Sequence, residues 1–121
     1  MSINVSIALK VLFEKNGANF ARSVSKPITL SGDSVIHNIQ TIQSATVEAL
    51  DLPANLTLAN SLFFALNLSV SDIALKFLSY HDVVLEPNCF CLFRLSSDVT
   101  EVGAISYTAD DCALEYIIVE A

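Results

Sequence analysis

The chain has 121 residues, 53% of them hydrophobic and 16% charged, with a formal net charge of −7 at pH 7. That length implies one domain, large enough to bury a core without metal or disulfide staples. Lys10, Lys15, Arg22, Lys26, Lys76 and Arg94 are scattered and form no basic stripe, which argues against nucleic acid, because neutralising phosphates takes a cluster of cations.

Mean hydropathy is +0.56, high for a soluble monomer. The longest apolar region, residues 56–70, contains Asn60, Ser61, Asn67 and Ser69 and falls short of the ~20 residues a spanning helix needs. A membrane span is therefore not expected. Apolar surface shared between subunits accounts better for the excess. The N-terminal stretch has no basic n-region, and Lys10 interrupts its apolar run, so it does not read as a signal peptide. Without secretory entry, the sequons at Asn4, Asn55 and Asn67 carry no glycan, and the three cysteines are expected to be reduced, buried thiols.

Taken in order, Ile3, Val5, Ile7, Leu9, Val11 and Phe13 occupy alternate positions, which predicts a strand with one buried face. Asn16-Gly17 follows, a dipeptide suited to a turn with positive φ at both central residues, and predicts a hairpin into 18–25. Pro27 lacks a ladder donor and limits 26–30 to an edge or a connection; Ser31-Gly32-Asp33 is a turn. Across 34–50, Ile36, Ile39 and Ile42 recur at a helical spacing. Val35, Ile36, Ile39, Thr41, Ile42, Thr46 and Val47 are β-branched, however, which favours two strands, 35–43 and 46–52, joined near Ser44-Ala45.

Pro53 opens a loop. Residues 61–78, SLFFALNLSVSDIALKFL, hold an apolar run at 62–66, a polar break at 69–72 and an alternating run at 73–78. They are predicted as a central hairpin whose first strand is covered on both faces and whose second is half-buried. Tyr80-His81-Asp82 and Glu86-Pro87-Asn88 read as turns. In 89–95, Cys89, Cys91, Phe93 and Leu95 share one face. Residues 96–100 are a loop, 104–108 a short strand, 109–111 a turn and 112–120 the last strand. Eight or nine short strands punctuated by turns predict an all-β, single-domain antiparallel β-sandwich over 1–121, jelly-roll-like or Ig-like.

Chemistry is sparse in this pattern. Cys89-x-Cys91 with Cys112 brings two thiols to one strand face, yet zinc sites use wider spacing and a fourth ligand, so core-filling thiols are the reading. His37 and His81 stand apart, and His81-Asp82 sits at a predicted turn with no nucleophile context. Asp110-Asp111 is the adjacent acidic pair; like Asp33, Asp72 and Asp98 it falls at a predicted turn, where Asp caps backbone N–H groups. Three glycines leave no phosphate-cradling loop. No tryptophan is present, and Tyr80, Tyr107 and Tyr116 are the only tyrosines, a thin supply of rings for stacking on sugars. No catalytic, cofactor-binding or metal-ligating residues are expected.

Four stretches together resemble small β-rich virion proteins of tailed bacteriophages, of the head-decoration or tail-associated kind. They are His37 to Ile42 with Val47 to Leu52; Phe64 to Leu68; Leu85 to Leu95; and Tyr107 to Glu120. The resemblance implies a compact sandwich ending in a C-terminal strand, and packing and assembly rather than catalysis; no functional residues carry over from it. The expectation is a non-enzymatic structural protein of a phage virion, made in the host cytoplasm. It would form a homo-oligomer or dock on major capsid or tail proteins through apolar interfaces. The alternative is a carbohydrate-binding β-sandwich for host-surface glycans; an enzyme using Asp110 and Asp111 is a third.

Overall fold

A computed structural model describes residues 3–32, 34–44, 46–78, 81–107 and 111–121, with Leu78, His81 and Asp82 described in their backbone only. The turn positions Asp33, Tyr80, Ala109 and Asp110, the join at Ala45 and the strand end at Thr108 lie outside these residues. The described residues form ten strands: β1 Ile3–Lys15, β2 Ala18–Leu30, β3 Val35–Ile42, β4 Glu48–Ala49, β5 Leu62–Asn67, β6 Ile73–Leu78, β7 His81–Leu85, β8 Phe90–Arg94, β9 Gly103–Ser106 and β10 Cys112–Val119. Among the described residues there is no helix, and so none long and apolar enough to cross a membrane.

The strands form a two-stranded ribbon, β1-β2, and two four-stranded sheets in the orders β3-β10-β5-β8 and β4-β9-β6-β7, antiparallel throughout. Strands three to ten pair from the outside inward: β3 with β10, β4 with β9, β5 with β8 and β6 with β7. A double ribbon wound this way is the jelly roll, and this order excludes the Ig arrangement. Between the two sheets lies one apolar cluster built on Ile42, Phe63, Ile73, Leu75, Leu114 and Ile118. Phe63, Phe77 and Phe93, from β5, β6 and β8, meet there with ring centroids 5.2–5.9 Å apart.

The alternation in β10 divides its side chains between the two faces of the sheet. Leu114, Tyr116 and Ile118 are fully buried in the core, while Glu115 and Ile117 face outward. Tyr116 carries a polar cluster into that core. Its hydroxyl accepts from Asn38 Nδ2 (3.0 Å) and donates to Gln40 Oε1 (2.9 Å), with the Asp51 carbonyl also at 3.0 Å. The Asp51 N–H in turn donates to Gln40 Oε1 (2.8 Å), which fastens the 49–51 chain to the sheet.

Four expectations are corrected. Residues 61–78 form two strands but no hairpin: β5 and β6 lie in opposite sheets, because both edges of each are taken by other strands. The 68–72 link crosses between the sheets, and Asn67 holds it by donating from Nδ2 to the Ser71 and Leu85 carbonyls (2.7 and 2.9 Å). His81 and Asp82 belong to β7 rather than to a turn. Of 46–52, only Glu48 and Ala49 are strand. The N-terminal hairpin is far longer than expected, with two strands of 13 residues each, and its apolar face is buried only near its root.

Candidate interaction surface

The Asn16-Gly17 turn fixes the hairpin. Their φ values of 53° and 80° are the pair that a two-residue turn between right-twisted strands demands. The register that follows pairs Ile3 with Leu30, Val5 with Ile28, Leu9 with Val24, Val11 with Arg22 and Phe13 with Phe20. The odd positions of β1 and the even positions of β2 therefore share a face, and every apolar residue of the predicted alternation lies on it. Pro27 is accommodated because β2 has only one neighbour, so its missing N–H costs no ladder bond.

At its root the hairpin packs on the sandwich. Ile3, Val5, Ile7 and Ile28 surround Leu30, Leu62 and Val119, with Ile117 alongside. At the same junction Gly32 is buried so closely against the Glu120 carbonyl that a Cβ there would collide with it. From Leu9 outward none of the described residues covers the stripe: Leu9, Val11 and Val24 are exposed, and Phe13 and Phe20, stacked at 4.8 Å with planes 8° apart, are 56% and 54% exposed. The hairpin is thus an arm. At about 3.3 Å per residue its 13-residue strands extend some 43 Å, against roughly 20 Å for six-residue β5.

The outer face of the β3-β10-β5-β8 sheet is apolar as well. Register places His37, Ile117, Phe64 and Leu92 in one row and Ile39, Glu115, Leu66 and Phe90 in the next. Ile39 and Phe90 are more than half exposed. The arm passes over part of this face without closing on it, leaving open grooves of about 430 and 340 Å³ that Ile7 and Leu92 both line. A face this apolar, beside an arm this apolar, has the character of a protein interface.

Charge is divided between the two parts in a way the linear sequence hides. The arm, 3–30, carries Lys10, Lys15, Arg22 and Lys26 against Glu14, a net +3. The chain total of −7 then leaves −10 for the remainder, where only Lys76 and Arg94 are basic. By register Lys15, Arg22 and Lys26 stand on the apolar face of the arm, and no carboxylate shares that face. Residues scattered in the sequence are therefore gathered by the hairpin.

The residues weighed for chemistry are not brought together. Cys89 is exposed, Cys91 half-buried toward the core, and Cys112 buried beside Ser106 Oγ (3.2 Å). Burial pushes the Cys91 thiol up to about 11, its backbone contact with Ala65 opposing this in part. His37 lies on exposed β3 with Nε2 2.7 Å from Glu115 Oε2. Asp72 and Asp98 lie off the strands, Asp111 is exposed just before β10, and Tyr107 is exposed while Tyr116 is core. Among the described residues no three His, Cys, Asp or Glu side chains form a group that could hold a metal ion. No protein-family model and no curated protein matches the chain.

Proposed function

We propose that the chain is a non-enzymatic structural subunit of a bacteriophage virion, assembling through apolar surface with copies of itself or with capsid or tail proteins. The observation that carries this reading is the projecting arm, whose stripe of Leu9, Val11, Val24, Phe13 and Phe20 is left bare in the isolated subunit. Leaving such a stripe in water is unfavourable, and covering it with protein is the ordinary route by which subunits associate. The jelly-roll order lends further support, since capsid subunits are among the proteins that use it, although lectins and cupins do too. The resemblance of the Leu85 to Leu95 and Tyr107 to Glu120 stretches to small virion proteins points the same way.

The test is quantitative mass spectrometry of particles purified from a phage that carries the gene. The chain is expected in fixed stoichiometry to the major capsid or a tail protein. Its absence from washed particles, with the isolated subunit monodisperse and monomeric, would sink the proposal.

A further inference from the structure

We infer that the arm seats on a second copy of this chain, its basic apolar stripe lying on the outer face of that copy's β3-β10-β5-β8 sheet. The inference rests on the structural-assembly reading above and names the partner of its interface.

Three observations select a second copy over other occupants. The first is charge. The face of the arm that carries the apolar stripe bears Lys15, Arg22 and Lys26 and no carboxylate, while residues 31–121 carry −10 in all; on the sheet face itself Glu115 stands beside His37 and Arg94 lies across from Leu62. Opposite potentials of this kind steer and orient association. The second is continuity. At the root, the same stripe already packs on this sheet face, with Ile3, Val5 and Ile7 against Leu62, Ile117 and Val119. Beyond that contact the face continues through Leu66, Phe90 and Ile39 around Glu115, whose carboxylate lies 2.7 Å from His37 Nε2, an apolar surface that matches the stripe of the arm. The third is length. The arm is about twice as long as the strand it lies over, so its distal half overruns its own sheet and needs another to lie on. Nucleic acid would satisfy the cations but not the stripe of Leu9, Val11 and Val24.

The contact is heterologous, arm of one copy to face of another, which makes it testable by complementation. Two full-length variants are made, Arg22→Glu/Lys26→Glu on the arm and Phe90→Ser on the face. All three side chains are exposed, and thermal melting checks that each variant folds. Association is followed by sedimentation velocity over a concentration series at low and high salt. The wild type is expected to self-associate, less so at high salt. Each variant alone should weaken by about tenfold or more, and the equimolar mixture should recover a complex of two chains, because one good arm then meets one good face.

An arm variant that associates like the wild type would overturn the inference. The virion-assembly reading would then still stand on its particle measurement. Loss in both variants without recovery on mixing also overturns it, as does a Phe90→Ser variant that associates like the wild type, the result that arm-on-arm contact would give. So does a wild type that remains monomeric at every concentration, or one that gains mass only when duplex DNA is added.

Discussion

Two phenylalanine truncations, one in the core and one on the arm, separate the packed body from the bare stripe. Phe63 is 0% exposed and touches Phe77 edge-on at 5.4 Å and Phe93 at 5.9 Å, so it joins β5 to both β6 in the opposite sheet and β8 in its own. Removing a buried ring costs about 3–5 kcal/mol in transfer and cavity terms. With two aromatic partners lost as well, the upper part of that range applies to Phe63→Ala, about 4–5 kcal/mol. Against a total of roughly 5–15 kcal/mol, this brings the domain close to unfolding. Phe20 is 54% exposed and has one stacked partner, Phe13, so Phe20→Ala should cost about 0.5–1.5 kcal/mol. Far-UV circular dichroism in a urea series is the assay, at low protein concentration and high salt so that self-association does not add to stability. Equal costs for the two variants, or a Phe63→Ala cost under about 1.5 kcal/mol, would refute the division into core and uncovered arm.

Tyr116→Phe should destabilise by about 1–2 kcal/mol in the same assay, because Asn38 and Gln40 lose a buried partner while the ring volume stays. Burial also raises the Tyr116 pKa above 10.0. The folded state therefore holds the phenol proton more tightly, its contribution is complete below the unfolded pKa, and stability should fall as pH climbs above 10; the slope should flatten in Tyr116→Phe. Maleimide at pH 8 should label Cys89 first and Cys91 slowly, since the inward Cys91 thiol, at about 11, is almost wholly protonated there; peptide mapping reads the order. Gly32→Ala should lower the melting temperature, at a cost of about 1–3 kcal/mol, as the new methyl group meets the Glu120 carbonyl.

Much of the sandwich was legible because its strands alternate cleanly. Strands 35–43, 89–95 and 112–120 were found within a residue or two of β3, β8 and β10, and the Asn16-Gly17 turn was read for the right reason. Strand pairing was not legible. Whether β5 meets β6 depends on which distant segments take the edges of each, and no local pattern encodes that. The interaction surface was half readable. The six alternating residues of β1 predicted an apolar face, but alternation cannot tell a buried face from one left bare for a partner. The gathering of cations follows from the turn: once Asn16 and Gly17 set the register, Arg22 must stand across from Val11 and Lys26 across from Ile7.

The position of β10 between β3 and β5 imposes an order of events on biosynthesis. A ribosome delivers both neighbours, and the whole inward face of β5, well before the strand that must lie between them emerges. Until then two ladder edges and the ring of Phe63 stand open to solvent. Sheet closure waits on pairing Val35 with Val119, residues separated by most of the polypeptide, which is slow and leaves time for wrong partners. Ribosome-stalled chains ending before residue 112 should accordingly engage chaperones or aggregate, whereas chains carried past residue 119 should become protease-resistant within one cooperative step.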